Sequence, residues 1–515
     1  MKILLVYPNL MGMNTLPPAM GLFTSILKAA GHQVALFDTT SHAGLGTGFD
    51  SDKLKEQNLN ARPYDDSLLR RYDRHSSAEE DFARQVREFG PGLIAVSATE
   101  DMFPIALQLL GALPKDRPPV VLGGVFATFA PELALRLSEG RIDYVLSGEG
   151  EEALPELARC LERGTDVASV AGLSMRRGSG LIRNPLPRPV HTDSLPLPDY
   201  GLFEDARFYR PMQGQLRRML PVETFRGCPY TCAYCNSPSQ MAAQRHEGGG
   251  FFRMKSIAKV REEIAHVVRT YRADSLYFWA DTFLAYNDRD FDAFCEMYSE
   301  FKLPFWMQTR PETVTEEKFR RLRDVGLLRV SFGIEHGNEE FRVKHLRRRV
   351  SNAQILERLS IPRKLGIPFS VNNIIGFPEE TRALAFDTVE LNRGIPSDGI
   401  NAYSYTPFHG TPLREAAERL GLIHPDAVVR SLTQPTVLDM PQFPAAQIEG
   451  LRRCFVLYVK MPKERWPEIE RAERRTPEAD ALWSRLRDEC NDRYMRYGDR
   501  AQEDDAPPPA AGRAV

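Results

Sequence analysis

Three cysteines lie close together in the segment ETFRGCPYTCAYCNSPS, where Cys228, Cys232 and Cys235 have a CxxxCxxC spacing. Three thiolates on one loop can each ligate one iron of a cubane cluster, which leaves a fourth iron open to a substrate. A structural zinc site normally takes four protein ligands, and His246 is a candidate for the fourth. The other cysteines are isolated and are expected to be buried as small apolar side chains: Cys160, Cys295, Cys454 and Cys490. The cysteine trio (Cys228, Cys232 and Cys235) therefore predicts an iron–sulfur cluster rather than zinc or a disulfide framework.

The elements that would position this trio alternate between strand and helix patterns. Candidate strands are 222–226, 275–280, 304–308, 328–335, 368–375 and 400–406. Amphipathic helical stretches separate them at 255–272, 290–302, 315–325, 352–365 and 382–393. Successive strand–helix units with short connections form a parallel barrel, whose functional groups lie at the carboxyl ends of the strands. We therefore expect the cysteine loop to lie at one mouth of a partial barrel.

Polar or conformationally special residues follow the later strands and are candidate cofactor contacts. Asp281 follows the second strand, Arg310 the third and Glu335 the fourth. Gly376 follows the fifth and Tyr405 the sixth. Each residue alone has an ordinary explanation, because an Asp after a strand often caps a helix and an Arg often forms a surface ion pair. Their order around six strands behind the cysteine trio favours one shared pocket.

The first third of the chain also alternates strands and helices, with strands at 2–7, 34–38, 93–98, 120–124 and 144–148. This pattern predicts an α/β fold with a doubly wound parallel sheet, which binds ligands beyond the carboxyl ends of its strands. The candidate contacts at that edge are Asn9, Thr99, Gly123, Gly124, Gly148 and Glu149. Ordinary strand-to-helix turns remain the alternative explanation for these residues. The long polar stretch from Ser41 to Ser77 is expected to be a lid or a mobile segment.

The domain boundaries follow from these patterns and from composition. A Rossmann-like domain is expected at 1–165, a proline-rich linker at 166–205 and the barrel at 206–412. Residues 413–500 have helical patterns, and 501–515 are expected to be a disordered tail. The basic run at 345–349 is expected to be a solvated helix face, with a phosphate site as the alternative.

Composition excludes several classes of protein. The chain has 515 residues, of which 42% are hydrophobic and 26% charged, as in a globular protein with a sizeable core. Its net charge of −2 gives no general attraction to nucleic acid or to an anionic membrane. The apolar run at the N-terminus is too short for a signal sequence or a membrane span, and a cytoplasmic location is expected.

The CxxxCxxC motif, with an aromatic residue before its last cysteine and six strand–helix units, resembles the radical S-adenosylmethionine (SAM) superfamily. The resemblance implies that the cysteine trio binds a [4Fe-4S] cluster whose open iron chelates the amino and carboxylate groups of SAM. It implies that Tyr234 lies near the adenine and Glu335 near the ribose or the methionine moiety. Arg310 would meet the SAM carboxylate, and the strand SVNNIIGFP, with Asn373 and Gly376, resembles the family's adenine-contacting fifth strand.

A doubly wound domain ahead of such a barrel resembles the cobalamin-binding class of that superfamily, as do VVLGGVFATFAPE, DYVLSGEGEEALPEL and SLPLPDYGLF. The resemblance implies cobalamin between the sheet edge and the barrel mouth, with Ser97 to Thr99 facing the lower side of cobalt. The DxHxxG motif that supplies a lower histidine ligand is absent, because His42 has the wrong spacing and is expected to be a loop residue. A cobalamin-free variant therefore stays open.

The resemblance implies a cobalamin-dependent methyltransferase that acts on an unactivated carbon or phosphorus of a small-molecule substrate. An electron donor such as flavodoxin or ferredoxin would serve it. A cyclase or oxidase with the same cofactors is the first alternative, and a non-catalytic cobalamin-binding sensor is the second. A methylthiotransferase is disfavoured because residues 1–227 hold only Cys160, not a second cysteine trio.

Overall fold

A computed structural model describes residues 1–45, 51–245, 250–431 and 434–495. Several sequence-based expectations lie outside the described residues. They concern His246 as a zinc ligand, positions 46–50 of the polar insertion (the polar stretch from Ser41 to Ser77), positions 496–500 of the helical region, and the tail at 501–515.

The N-terminal sheet has seven strands in the order β2-β1-β3-β4-β5-β6-β7. The strands are β1 (Lys2–Tyr7), β2 (Gln33–Asp38), β3 (Leu93–Ser97), β4 (Val120–Gly123), β5 (Tyr144–Leu146), β6 (Leu173–Arg177) and β7 (Gly180–Arg183). The first five are parallel. Ile3 and Leu5 of β1 pack into one apolar core, while Leu4 and Val6 pack into another on the opposite face. A strand buried on both faces explains the unbroken apolar run of β1 and confirms the predicted doubly wound sheet.

Helices cover both faces of this sheet. They are α1 (Pro18–Ala29), α2 (Ser51–Gln57), α3 (Ser67–Arg70), α4 (Ala78–Phe89), α5 (Phe103–Gly111), α6 (Val125–Phe129), α7 (Pro131–Leu137) and α8 (Gly150–Arg163). Ser77 caps α4 by accepting from the backbone N–H of Glu80, and Gly90 ends the helix in a left-handed conformation.

The expectation of a linker over 166–205 is wrong for its first half. β6 and β7 form an antiparallel pair that extends the N-terminal sheet beyond β5. The strands LSMRR and GLIR are short and have no apolar alternation, while the prolines of the following segment are typical of a linker. The segment from 184 to 205 does lack long elements and connects the two parts of the chain.

The second seven-stranded sheet has the order β16-β15-β14-β13-β12-β9-β8. Its strands, with a separate β10-β11 pair, are β8 (Tyr209–Met212), β9 (Gln215–Glu223), β10 (Phe225–Arg226), β11 (Arg253–Met254), β12 (Ser275–Trp279), β13 (Phe305–Thr309), β14 (Leu327–Glu335), β15 (Phe369–Ile375) and β16 (Gly399–Ser404). β9 and β12 to β16 are parallel, and β8 adds one antiparallel strand at the edge. Six parallel strands with an open edge form the predicted partial barrel.

The barrel helices follow the predicted alternation. They are α9 (Ser237–Arg245), α10 (Ile257–Tyr271), α11 (Asp288–Tyr298), α12 (Glu316–Val325), α13 (Glu339–Lys344), α14 (Asn352–Lys364) and α15 (Arg382–Arg393). The predicted helical region follows as α16 (Pro412–Arg419), α17 (Ala445–Lys460), α18 (Trp466–Ala472) and α19 (Pro477–Cys490). None of the helices in the described ranges is both long and apolar enough to cross a lipid bilayer.

Buried polar contacts join the two sheets. Glu100, which follows β3, accepts hydrogen bonds from the His409 backbone at 2.8 Å and from the Val429 backbone at 3.1 Å. A Cβ on Gly410 would lie 2.2 Å from the Phe129 ring, so only glycine allows this approach of the two units. The carboxyl edge of the N-terminal sheet therefore faces the mouth of the barrel.

Candidate active site

A cavity of about 800 Å³ occupies the barrel mouth and interior. All three cysteines of the trio line it, together with side chains from β12 to β16 and from the polar insertion. The predicted residues that line it are Asn9, Cys228, Cys232, Tyr234, Cys235, Asp281, Arg310, Glu335 and Tyr405. The sequence-based expectation of one pocket at the strand ends agrees with this arrangement.

Hydrogen-bond donors surround the sulfurs of the cysteine trio. The Arg310 guanidinium donates to Cys232 Sγ at 3.0 Å, and the backbone N–H of Ser237 donates to Cys235 Sγ at 3.4 Å. The Thr282 hydroxyl lies 3.6 Å from Cys228 Sγ. Donors of this kind stabilise negative charge on sulfur, which is how a protein tunes an iron–sulfur cluster.

The donor chemistry of the trio, three free thiols on one loop, suits a cubane cluster. Among the described residues, no three His, Cys, Asp or Glu side chains form a group able to hold one ion. A cubane takes one thiolate per iron, so its ligands need not converge on one point. Burial raises the pKa of the Cys228 thiol, and it raises that of Cys235 to about 12.

Glu335 lies at the end of β14 beside Arg348, a partner that sequence spacing did not reveal. Its backbone has a φ of 70°, next to a register shift between Gly333 and Glu335 that aims the side chain into the cavity. Arg348 donates to Glu335 at 3.0 Å, to Tyr234 Oη at 3.4 Å and to the Gly333 carbonyl at 2.9 Å. Burial raises the pKa of Glu335, although the Arg348 charge opposes this effect.

Arg310 is held by the protein on three sides. It pairs with Glu312, donates to Cys232 and lies 3.7 Å from the centroid of the Tyr230 ring. The ion pair expected as the ordinary explanation is present, but it lies against the cysteine loop and within the cavity. The Glu312 carboxylate therefore already occupies part of this guanidinium.

Two predicted contacts do not line this cavity. The Asn373 side chain is fully buried and bonds to Asn392 of α15 and to the backbone of Asn401. Its neighbour Asn372 lines the cavity instead, because successive side chains of a strand point to opposite faces. Gly376 packs under Ile448 of α17, where a Cβ would lie 3.0 Å from that side chain. The expected cofactor contacts of Asn373 and Gly376 therefore disagree with the geometry.

A second cavity of about 510 Å³ lies at the carboxyl edge of the N-terminal sheet. The predicted residues on its wall are Asn9, Thr99, Gly123, Gly124, Gly148 and Glu149. A Cβ on Gly123 would meet only a carbonyl oxygen at 3.9 Å, so the missing side chain leaves open space on the cavity wall. A broad, largely apolar wall with small residues fits a large flat macrocycle such as cobalamin.

The Glu149 carboxylate is already bound by protein groups. It pairs with Arg253, accepts from the Val190 backbone at 2.8 Å and lies 3.3 Å from Arg226. Burial works against ionisation of Glu149, but the two arginines outweigh it and lower the pKa. Arg226 also bonds to Glu151 at 2.7 Å, so this network ties the N-terminal sheet to the start of the barrel. Glu149 therefore supports the cavity wall rather than offering a free carboxylate.

His42 is a structural histidine, as expected from its spacing. It is buried and its Nε2 lies 3.2 Å from Asp81 Oδ2. No histidine is among the described residues that line the cavity of about 510 Å³. Ser97, Ala98 and Thr99 form part of that wall, and their position below cobalt stays a prediction.

Several cavity residues were missed by sequence reasoning. Arg348 belongs to the basic run at 345–349, but it is only 1% exposed, so a solvated helix face is wrong for it. The run begins in a turn after α13 and has no regular secondary structure, with Arg347 in the left-handed region at a φ of 57°. Arg347 and Arg349, on either side of Arg348, are exposed. Three consecutive arginines give no signal in the sequence that sets Arg348 apart. Arg210 and Trp279 also line cavity walls and carried no motif.

Two family models match the chain. The radical SAM superfamily model matches residues 222–391, and the B12 binding domain model matches residues 65–158. The first range contains the cysteine trio and β12 to β15. The second contains β3 to β5 of the N-terminal sheet.

Relatives and solved structures resemble this chain over most of its length. An uncharacterized methyltransferase of Pyrococcus horikoshii is 28% identical and covers 74% of this chain and 82% of its own length. The anaerobic magnesium-protoporphyrin IX monomethyl ester cyclase of Cereibacter sphaeroides is 26% identical over 70% of this chain, and the match spans 60% of the cyclase. The structure of the radical SAM methyltransferase TsrM of Kitasatospora setae has a TM-score of 0.61 at 18% identity, covering 82% of this chain and 77% of TsrM. At 18% identity, the likeness to TsrM concerns the fold alone.

The chain carries a radical SAM domain at residues 222–391 and a B12-binding domain ahead of it at residues 65–158. This confirms the resemblance drawn from the CxxxCxxC motif and the doubly wound sheet. The cofactors of such a protein are a [4Fe-4S] cluster, SAM and cobalamin.

Proposed function

We propose that the protein is a cobalamin-dependent methyltransferase that acts on an unactivated carbon or phosphorus of a small molecule. One observation carries the proposal: the cavity of the B12-binding domain and the cavity of the cysteine trio share wall residues. The shared residues are Tyr7, Asn9, Met13 and Trp279. Groups bound in the two cavities would therefore face each other across a short common boundary.

When bound, the cluster would supply the electron for reductive cleavage of SAM, and cobalamin would supply the methyl group for transfer. The residues of this chain hold and shield those groups. Cys228, Cys232 and Cys235 would ligate the cluster, and Arg310 would meet the SAM carboxylate. Glu335 would accept hydrogen bonds from SAM while Arg348 fixes its orientation.

The B12-binding domain would hold its cofactor mainly by shape. We propose that Asn9, Thr99, Gly123, Gly124 and Gly148 contact it, since they share one wall. Glu149 would act from behind that wall by holding Arg253 and Arg226. With residues 173–183 part of the N-terminal sheet, we propose that the first domain extends past the expected boundary at 165.

The polar insertion would exclude water from the reaction cavity. Its residues Asp52, Lys55, Asn60 and Arg62 line the cavity. The Asn60 side chain donates to the Ile400 carbonyl of β16 at 2.6 Å, which joins the insertion to the far strand of the barrel. This arrangement supports the expectation of a lid. We also propose that an electron donor such as flavodoxin or ferredoxin serves the enzyme and that the protein is cytoplasmic.

The test is product analysis with anaerobically reconstituted holoenzyme, SAM carrying a labelled methyl group, a reductant and candidate acceptors. A methyltransferase of this class produces S-adenosylhomocysteine and 5′-deoxyadenosine together, with label in the acceptor. Formation of 5′-deoxyadenosine without S-adenosylhomocysteine would favour the cyclase or oxidase alternative. The similarity to the cyclase of Cereibacter sphaeroides is the reason to test that alternative. Failure to form either product from SAM, with cluster and cobalamin bound, would overturn the proposal.

A further inference from the structure

Arg210, on the antiparallel edge strand β8, lines the reaction cavity far from any sequence motif. Its guanidinium carbon lies 4.7 Å from the centroid of the Trp306 ring and 5.8 Å from that of Tyr277. Those two rings stack on each other with centroids 4.2 Å apart, and the Trp306 indole N–H donates to Ser331 at 3.0 Å. The guanidinium therefore rests on a rigid aromatic platform, which fixes the plane of its donors.

The charge of Arg210 has no counterion in contact. Within the described residues, the guanidinium makes no hydrogen bond and no ion pair. Burial lowers the pKa of Arg210, and the Asp52 carboxylate opposes this effect from a distance. A half-buried cation without a partner costs free energy unless a ligand supplies the anion.

The surroundings add to the positive field. Arg217 is the direct cross-strand neighbour of Arg210, and like charges at opposed positions of a hairpin destabilise it. Six cationic side chains line the cavity against four anionic ones. The cationic ones are Lys55, Arg62, Arg210, Arg310, Arg329 and Arg348, and the anionic ones are Asp52, Asp281, Glu335 and Asp398. Such a cavity attracts anions as a whole.

The remaining cationic groups have protein partners. Arg348 binds Glu335, Arg310 binds Glu312, and Arg329 binds Asp398 at 2.7 Å. The aromatic neighbours of Arg210 also differ from those of the cysteine loop, where Arg310 stacks on Tyr230. Arg210 therefore belongs to the part of the cavity left for the acceptor rather than to the groups around the cysteine trio.

We propose that Arg210 binds a carboxylate or phosphoryl group of the methyl acceptor, so that the substrate is a small organic acid or phosphorylated compound. This rests on the proposed function, because that function assigns the cavity to an acceptor. The neutral polar wall near Arg210, with Ser331, Ser370, Asn372 and Asn401, suits the polar remainder of such a molecule better than a hydrocarbon. A planar guanidinium on an aromatic platform presents two parallel donors to one oxyanion.

The test is calorimetric titration of reconstituted holoenzyme, with saturating SAM, using benzoate, phenylphosphonate and their neutral analogue benzamide. We expect benzoate or phenylphosphonate to bind at least ~10-fold more tightly than benzamide, and that preference to disappear in Arg210→Gln. Which acid binds more tightly distinguishes a carboxylate acceptor from a phosphoryl one. Arg210→Lys keeps the charge without the fork and is expected to retain part of the preference.

Arg218→Gln is the matched control, since Arg218 lies on the same hairpin, pairs with Asp205 and does not line the cavity. It removes the same charge and should leave the preference for acids unchanged. Equal binding of acids and amide by the wild type, or an equal loss in both glutamine variants, would overturn the inference. Cluster absorbance and SAM cleavage are recorded on the same samples, so a failure of the proposed function is seen separately from a failure at Arg210.

Discussion

Arg348 donates a hydrogen bond to Glu335 over 3.0 Å, and both side chains are buried beside the cysteine loop. The pair joins the end of β14 to the irregular segment that follows α13. Because Arg348 also reaches Tyr234 and the Gly333 carbonyl, one guanidinium orients three groups around the predicted SAM site. The pair therefore makes the shape of that site depend on a residue outside every recognisable motif.

Replacement Arg348→Gln should weaken SAM binding and lower stability. It leaves the Glu335 carboxylate buried without its cation. Such a loss typically lowers the free energy of unfolding by about 3 kcal/mol. Thermal unfolding and equilibrium dialysis with SAM measure the two effects. The control is Arg349→Gln, because Arg349 is exposed one residue away. If both variants matched the wild type, Arg348 would have no role in organising the site.

Replacement Gly124→Ala should impair cobalamin retention. Gly124 has a φ of 110°, and a Cβ there would lie 2.3 Å from the Ala98 carbonyl oxygen on the cavity wall. The backbones of β3 and β4 must separate to admit the methyl group, so the cavity changes shape. Gly140→Ala is the control, since Gly140 has a φ of 83° and open space around it. The control substitution should lower the free energy of unfolding by only about 1 kcal/mol. It should leave the amount of bound cobalamin, measured after gel filtration, unchanged. Equal cobalamin content in both variants would contradict the assignment.

The network around Glu149 should make stability fall in acid. The pKa of Glu149 is lowered in the folded protein despite burial, because Arg253 and Arg226 outweigh it. Its contribution is therefore fully present above the unfolded value of about 4.3 and is lost as pH falls through the lower folded pKa. Thermal midpoints of wild type and Glu149→Gln should show their full difference at neutral pH and begin to converge only below about pH 4, as the folded protein takes up the proton.

The control for that experiment is Glu152→Gln, since Glu152 is exposed on the same helix, α8. It should follow the wild type at every pH. A constant gap between wild type and Glu149→Gln from neutral pH into acid would show that Glu149 contributes through packing rather than charge.

Sequence patterns predicted the strand and helix order well because each buried strand and amphipathic helix carries its own periodicity. The strand 368–375 illustrates the limit. Its position was predicted, but the side that faces the cavity was not, and Asn372 rather than Asn373 lines the wall. A parallel strand buried on both faces has no apolar alternation to reveal which face is which.

The other misses arise from tertiary context. The β6–β7 pair is short and lies at the edge of its sheet. Its sequence alone resembles a loop, because the contacts that stabilise the two strands come from the rest of the sheet. Arg348 and Arg210 resemble surface arginines until their neighbours are known. Arg348 is placed by Glu335, 13 residues away along the chain, and Arg210 by Trp306 from another strand of the barrel. Contacts across such distances leave no local pattern.

Iron and sulfide content after anaerobic reconstitution tests the central claim most directly. The wild type should hold about four iron and four sulfide ions per chain, and each of Cys228→Ala, Cys232→Ala and Cys235→Ala should lose most of them. Cys295→Ala, at a buried cysteine of α11 outside the reaction cavity, should keep the wild-type content. Wild-type protein without iron and sulfide, or alanine variants that retain a full cluster, would contradict the account.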